Sequence, residues 1–301
     1  MQFKESRALL VAGLQTAPVA QDPAATWDAF AAAVDSARTM FDGLGMVVAP
    51  ELHLSAPGPL LTEPAEYAEE VAVEIPGPLT DALAELARET GVWLLPGSVY
   101  ERTEDGIANT GLIISPEGEL VAHYRKCMPW QPYECSQPGD RLVVFDIPDV
   151  GRVGLMVCYD GMFPELPRQL AWWGAEAIVQ PMLTTTGDRE AETVVARATA
   201  IVNQVALVSI NAASPAGVGR SIMLDAEGHV RLEAGSGEEV LVDVVDFAAV
   251  ERVRRLGTFG MNRLWEQFDR SAETLDLPMY GAVKPRPATE RSESSPLQQT
   301  H

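Results

Sequence analysis

Cysteines and basic side chains are scarce in this 301-residue chain. Its three cysteines, Cys127, Cys135 and Cys158, are too few and odd in number for a disulfide framework, which predicts free thiols. Lys and Arg together number 22 against 43 Asp and Glu residues, so the formal net charge is −21. Most of this surface would repel a phosphate backbone or an anionic membrane, so neither nucleic acid nor a membrane is a predicted partner.

Long apolar runs and familiar cofactor signatures are also missing. A membrane span needs about 18 consecutive apolar residues, and no basic segment followed by an apolar one opens the chain, so we expect a cytoplasmic protein. The sequence has no G-x-S-x-G, H-E-x-x-H or G-x-x-x-x-G-K-[ST] pattern. Cys127 and Cys135 have seven residues between them, which is not zinc spacing. Neither a cofactor nor a metal is predicted.

Hydrophobic residues make up 47% of the chain, which is ample for a sizeable core. Apolar runs typical of strands alternate with segments of helical period, which predicts a layered α/β fold in one domain, residues 1–283. The tail, 284–301, is polar and rich in Pro and Ser and is expected to be disordered. The predicted strands include "ALLVAGLQTAP", "GMVVAPE", "VWLLPGSVYE", "VGLMVC", "EAIVQP" and "VALVSIN", and the predicted helices "TWDAFAAAVDSARTMF", "LTDALAELARETG", "PELPRQLAWWGA" and "REAETVVARATAIVNQ".

The stretch "VGLMVCYDGMFPE" places Cys158 at the end of an apolar strand, and Pro164 with Glu165 favours the start of a helix. In such a turn, backbone N–H groups and the positive end of the helix can lower a thiol pKa and hold a developing oxyanion. An isolated cysteine in this pattern is more often a buried core thiol. Two further stretches favour a nucleophile instead.

Glu51, in "VVAPELHLS", and Lys126, in "HYRKCMPWQPYE", each follow a strand, and Glu134 lies eight residues after Lys126. Each residue alone is typical of a solvated surface. Together they supply a base and a cation on the same kind of structural element as the thiol, as amide hydrolysis requires. The nearby His53 and His123 are more typical of structural or rim residues.

The segments "PEL", "YRK" followed by "PW.P.E", and "CYDGMFPE" resemble the three signature regions of the nitrilase superfamily of carbon–nitrogen hydrolases, and the resemblance covers nearly the whole chain. It implies a four-layer α-β-β-α sandwich of the nitrilase type, expected once two subunits pair. The subunits would pair through a helical face, as a homodimer or larger homo-oligomer. One departure is Val202, because the family commonly has an acidic residue before the Asn.

By this resemblance Cys158 is the nucleophile, Glu51 the general base and Lys126 the cation that stabilises the tetrahedral intermediate. Glu134 is a second acid that orients the site, and the backbone N–H of Tyr159 completes the oxyanion hole. Cys127 adjoins Lys126 but is expected on the opposite face of its strand, so we expect it to take no part in catalysis.

The same segments look closest to the aliphatic amidase and formamidase branch, because nitrilases proper typically carry Trp-Glu directly after the cysteine. This implies an amidase that hydrolyses a small carboxamide to an acid and ammonia through a cysteine thioester. An N-carbamoyl hydrolase or a nitrilase would use the same residues. A third hypothesis is a non-catalytic interaction protein with an acidic docking surface, which the joint presence of the four side chains argues against.

Overall fold

The computed structural model describes residues 7–58 and 65–271. Within those ranges the chain forms thirteen strands and seven α-helices. The strands are β1 (Ala8–Gln15), β2 (Leu44–Val48), β3 (Trp93–Leu95), β4 (Ser98–Thr103), β5 (Gly106–Ile114), β6 (Leu120–Arg125), β7 (Val143–Ile147), β8 (Gly151–Leu155), β9 (Ala177–Met182), β10 (Ala206–Asn211), β11 (Ile222–Leu224), β12 (Val230–Glu233) and β13 (Glu239–Asp246). The helices are α1 (Pro23–Met40), α2 (Ala65–Val71), α3 (Pro78–Thr90), α4 (Glu165–Trp172), α5 (Arg189–Asn203), α6 (Phe247–Leu256) and α7 (Leu264–Ser271).

The strands of the described residues form two sheets. The first has the order β13-β1-β2-β3-β5-β4 with β6 beside β5, and the second has the order β12-β11-β10-β9-β8-β7. Strands β1, β2 and β3 are parallel, as are β8, β9 and β10. The predicted tail, 284–301, lies outside the described residues, so the boundary of the domain at residue 283 stays a prediction.

Strand β1 shows how the sequence sets the layers. Leu9 and Val11 pack into the core between the two sheets, whereas Ala12 and Leu14, on the other face, pack with residues of α1 and α3. This alternation is the period of two that a strand buried on both faces must satisfy. On the far side, α4 and α5 pack against the second sheet. The order is helix, sheet, sheet, helix, which confirms the four-layer sandwich. One chain supplies all four layers, so the expectation that they form once two subunits pair was wrong.

The predicted strand "VWLLPGSVYE" is two strands, β3 and β4, and this expectation was wrong. The break falls at Pro96 and Gly97, where Gly97 has a φ of +83°. A Cβ there would lie 1.6 Å from the carbonyl oxygen of Pro50, so only glycine fits. The close approach packs the break against the chain just before Glu51.

Three of the predicted site residues follow strands that end at one edge of the sandwich. Glu51 lies beyond β2, Lys126 beyond β6 and Cys158 beyond β8. Strand β6 runs in the same direction as β3, because both are antiparallel to β5. Sites in α/β proteins commonly form at the carboxyl ends of parallel strands, and this edge has that geometry. Pairing of subunits through a helical face and a cytoplasmic location stay predictions.

Candidate active site

Glu51 is held rigidly at the end of its strand. It is 4% exposed, and its backbone N–H donates to the carbonyl of Met182, at the end of β9, over 3.2 Å. The next residue, Leu52, has a φ of +51°, in the left-handed region that a residue with a branched side chain rarely adopts. This bond joins the two sheets and, with the turn, fixes the direction in which the Glu51 carboxylate points.

Lys126 is a buried cation between two carboxylates. It is 1% exposed, and Nζ donates to Glu51 Oε1 over 2.8 Å and to Glu134 Oε2 over 2.6 Å. Burial disfavours the charged ammonium, but the negative charges of Glu51 and Glu134 outweigh it and raise the pKa of Lys126 well above its ordinary value. Lys126 is therefore a fixed positive charge.

Glu134 reaches the cluster from the segment that follows β6. Its Oε2 also accepts the backbone N–H of Trp130 over 2.9 Å, and its Oε1 accepts the hydroxyl of Ser136 over 2.5 Å. Burial alone would raise the pKa of Glu134, but the charge of Lys126 and these hydrogen bonds lower it below its ordinary value. The structure thus brings together Glu51, Lys126 and Glu134, as the sequence predicts.

Asn109, on β5, joins the two carboxylates, and the sequence analysis missed it. Its Nδ2 donates to Glu51 Oε1 over 2.8 Å and to Glu134 Oε1 over 2.9 Å. The backbone carbonyl oxygen of Asn109 accepts the backbone N–H of Lys126 over 2.8 Å. A signal was present, because Asn109 and Thr110 are polar residues in the middle of a strand that is otherwise largely apolar.

Cys158 begins a 3-10 helix, Cys158–Met162, in a strained backbone conformation with a φ of +48°. Burial and the charge of Glu51 raise the pKa of the half-buried thiol well above its ordinary value, against the opposing effects of Lys126 and of the Leu183 backbone. Burial thus outweighs the two groups that favour the thiolate, the ammonium of Lys126 and the backbone of Leu183. A protonated thiol needs a base to become a nucleophile, and Glu51 is a carboxylate close enough for its charge to affect the thiol pKa.

Asp160 and Tyr124 link the two sheets behind the thiol, and sequence reasoning missed both. Each is fully buried, and the Tyr124 hydroxyl donates to Asp160 Oδ2 over 2.8 Å. The same carboxylate accepts the backbone N–H groups of Val157 and Met128 over 2.8 and 2.9 Å. Burial raises the pKa of Asp160 to about 6. Asp160 ties the Cys158 turn to the segment after Lys126.

A family model described as carbon-nitrogen hydrolase matches residues 10–255, which include this whole cluster. The chain belongs to the carbon-nitrogen hydrolase family. Nit3 of Saccharomyces cerevisiae, a member of branch 10 of the nitrilase superfamily, is 27% identical with a TM-score of 0.75, and the match covers 83% of this chain and 94% of that one. A carbon-nitrogen hydrolase from Helicobacter pylori G27 is 25% identical with a TM-score of 0.72, over 83% and 92% of the two chains.

A formamidase of Bradyrhizobium diazoefficiens is 44% identical to this carbon-nitrogen hydrolase over 84 residues. The match covers 28% of this chain but only 25% of the formamidase. The matched segment is local, so it shows relatedness to that enzyme and leaves the activity of this chain to be proposed.

Glu192, on α5, is a further acid of this hydrolase near the thiol. Its Oε2 accepts the hydroxyl of Thr184 over 2.7 Å and lies 3.5 Å from Nη1 of the buried Arg189. Burial raises the pKa of Glu192, and the charge of Glu51 adds to the effect, while Thr184 and Arg189 oppose it. Because its charge also raises the pKa of Cys158, Glu192 lies within electrostatic reach of the sulfur.

The neighbouring histidines and the second thiol lie apart from this cluster. His53 is 3% exposed and packs against Phe30, and burial lowers its pKa to about 4. His123 has its pKa lowered by burial. Burial raises the pKa of Cys127, whose Sγ lies 3.8 Å from the carbonyl of Arg141. Among the described residues, no side-chain hydrogen bond or ion pair joins His53, His123 or Cys127 to the carboxylates of Glu51 and Glu134 or to the ammonium of Lys126.

In residues 7–58 and 65–271, no helix is both long and apolar enough to cross a membrane. The same residues contain no group of three or more His, Cys, Asp or Glu side chains arranged to hold a metal ion. Tyr159, the predicted oxyanion donor, follows Cys158 in the same turn, and its ring packs edge-on against Phe163. The role of its N–H stays a prediction.

Proposed function

We propose that this carbon-nitrogen hydrolase is an amidase, which cleaves a small carboxamide to an acid and ammonia through a thioester on Cys158. One observation carries the proposal. Lys126 Nζ bonds Glu51 and Glu134 over 2.8 and 2.6 Å, at the edge of the sandwich where Cys158 lies. A nucleophile, a base and a fixed cation in one place suit attack on an amide carbonyl. The local match to a formamidase supports an amide substrate.

The first half of the reaction forms the thioester. Glu51 takes the proton of the Cys158 thiol as the sulfur attacks the carbonyl carbon, and the carbonyl oxygen becomes an oxyanion. The ammonium of Lys126 and the N–H of Tyr159 stabilise that charge. The C–N bond then breaks, the leaving nitrogen takes the proton from Glu51, and ammonia departs.

The second half hydrolyses the thioester with the same groups. Glu51 takes a proton from water as its oxygen attacks the acyl carbon, and Lys126 again faces the oxyanion. The C–S bond breaks, and the sulfur recovers a proton from Glu51, which releases the acid. Hydrogen bonds from Glu134 and Asn109 keep the side chains of Lys126 and Glu51 in position through both halves of the reaction.

A nitrile or an N-carbamoyl compound would be attacked by the same thiol. A nitrile first gives a thioimidate, whose nitrogen must be protonated, and this step suits a different placement of the acid. We therefore expect ammonia release from an amide to outrun that from the matching nitrile. A panel of amides, nitriles and N-carbamoyl compounds measures this, and a faster nitrile would favour the nitrilase alternative.

Trapping the acyl group on Cys158 tests the mechanism directly. In Glu51→Gln the base that activates water is missing, so deacylation slows more than acylation by an activated ester, which needs little help for its leaving group. We expect intact-protein mass spectrometry to show one added acyl group per chain. Peptide mapping is expected to place it on Cys158.

The matched control is Cys158→Ala, which is expected to remain unlabelled under the same conditions. Label on Cys127 or Cys135, or equal labelling of Cys158→Ala, would return Cys158 to the role of a core thiol. Ammonia release from none of the amides, nitriles and N-carbamoyl compounds in the panel would favour the non-catalytic interaction protein.

A further inference from the structure

A narrow cleft lies beside Cys158, between the Cys158–Met162 turn, strand β9 and helix α5. Its free volume is about 10 Å³, which is room for one water-sized group. Met156, Val195 and Ala196 give it apolar walls. Among the described residues that line it, Glu192 is the one with a formal charge at neutral pH. An acyl group attached to Cys158 would place its small substituent near this carboxylate.

The Glu192 carboxylate is held in place by contacts to one of its two oxygens, Oε2. Thr184 and Arg189 both contact Oε2, and in residues 7–58 and 65–271 no recorded hydrogen bond reaches Oε1. Nη2 of Arg189 donates to the Arg220 carbonyl over 2.9 Å and to the Ser209 hydroxyl over 3.2 Å, whereas its buried Nη1 makes no hydrogen bond among the described residues and faces Glu192 Oε2. Arg189 is only 1% exposed, so its guanidinium is not available to bind a substrate anion.

The charges around the cleft favour a ligand that is positively charged or donates hydrogen bonds. The carboxylates of Glu51, Glu134 and Glu192 outnumber by one the two cations, Lys126 and Arg189, that contact them. The net charge of −21 on the whole chain adds a field of the same sign. A substrate that carries its own carboxylate into this cleft would meet repulsion, whereas an N–H donor would gain a charge-assisted hydrogen bond.

We propose that Glu192 is a specificity-determining residue: it favours amides whose acyl group carries a small ammonium or N–H donor and disfavours those that carry a carboxylate. The inference rests on the proposed amidase function and names its substrate class. An apolar cleft of this size would favour a methyl group over an ammonium, which loses its hydration there, so a preference for the ammonium depends on the Glu192 carboxylate.

Glycinamide and propionamide test this proposal, because they have the same number of heavy atoms and differ by an ammonium in place of a methyl group. At a pH where glycinamide is protonated, we expect its kcat/KM to exceed that of propionamide by about tenfold or more. Malonamate, which carries a carboxylate, is expected to be slower than propionamide. In Glu192→Gln the ratio of glycinamide to propionamide should fall close to one.

The matched control is Glu190→Gln, which neutralises an exposed carboxylate in the same first turn of α5 and is expected to keep the parent ratio. A parent ratio near one, or an unchanged ratio in Glu192→Gln, overturns the role of Glu192 and leaves the amidase function standing. Failure of the parent to release ammonia from any of these amides overturns both. If Glu192→Gln does not fold, Thr184→Val, which removes the hydroxyl that holds Glu192 Oε2, takes its place and should lower the ratio of glycinamide to propionamide; an unchanged ratio there overturns the role of Glu192.

Discussion

The two sheets contribute opposite electrostatic environments to one site. On the side of the first sheet, Lys126 Nζ lies within 2.8 Å of both Glu51 and Glu134, so buried charge is paired with buried charge. On the side of the second sheet, burial raises the pKa of the Cys158 thiol and of the Asp160 carboxyl. Asp160 is held there by a hydroxyl and by backbone N–H groups.

This difference shows how the site divides its work. The first side holds paired charges, and burial on the second side disfavours ionisation. In the proposed mechanism, transfer of the thiol proton to Glu51 would create a thiolate beside a cation that is already in place. A substitution on the first side leaves a buried charge unpaired and affects both stability and rate. A substitution on the second side removes the proposed nucleophile, as at Cys158, or changes the pH dependence of stability, as at Asp160. The variants below test that division.

Cys158→Ala has the largest expected effect. It removes the nucleophile but little packing, because the thiol is small and half-buried, so we expect turnover to fall by about 10⁴-fold or more. The free energy of unfolding should change by no more than about 1 kcal/mol. Ammonia release and urea unfolding measure the two quantities, with Cys127→Ala as the control that keeps activity. Activity near that of the parent would place the nucleophile elsewhere.

Lys126→Met tests the first side, where rate and stability should fall together. Loss of a group that stabilises the oxyanion cuts kcat by roughly a hundredfold or more. Two carboxylates left buried without their cation cost about 3–5 kcal/mol of unfolding free energy. Arg141→Met, at a side chain that is 69% exposed, is the control. If KM alone changes, Lys126 binds substrate and does not stabilise the transition state.

The parts of the fold and site that were predictable are those with local signals. The alternation of strands and helices follows from periods of two and 3.6, which are visible within one segment. Glu51, Lys126 and Cys158 were singled out because each follows a strand within a recognisable motif. The strand break at Gly97 was missed, because its cause is the Pro50 carbonyl, which belongs to a distant segment.

The supporting residues were missed for the same reason. Asn109 lies 58 residues from Glu51 along the chain, and Tyr124 lies 36 residues from Asp160. An Asn in a strand and an Asp in a turn are ordinary residues until the fold brings their partners together. The direction of the shift in the Cys158 pKa was not predictable, because depth of burial is not visible in a sequence.

Asn109→Ala tests how far the positions of Glu51 and Glu134 depend on the Asn109 side-chain amide that joins them. The variant removes the amide that donates to both Glu51 and Glu134, so we expect a loss of about 1–3 kcal/mol in unfolding free energy. A change of about 1.4 kcal/mol in the barrier is a tenfold fall in kcat, which we expect here. Asn203→Ala removes another buried amide, one that donates to the Thr199 carbonyl, and is expected to lower stability without lowering kcat. Equal kcat losses in the two variants would mean that Asn109 acts only through stability.

Asp160→Asn has the smallest expected effect on rate, and its effect shows in the pH dependence of the unfolding free energy. Because burial raises the pKa of Asp160 from 3.8 to about 6, the folded protein keeps this proton between those values while the unfolded chain has lost it. The contribution of Asp160 to stability is therefore fully present below about pH 4 and falls as the pH rises to about 6, by on the order of 3 kcal/mol. An Asn at this position does not titrate, so the stability of the parent relative to Asp160→Asn should decline over that window and stay level above it. Urea unfolding of both proteins at several pH values gives this difference directly, and titrations common to both cancel. A difference independent of pH would mean that Asp160 ionises in the fold as readily as in water, and that the second side of the site does not resist charge.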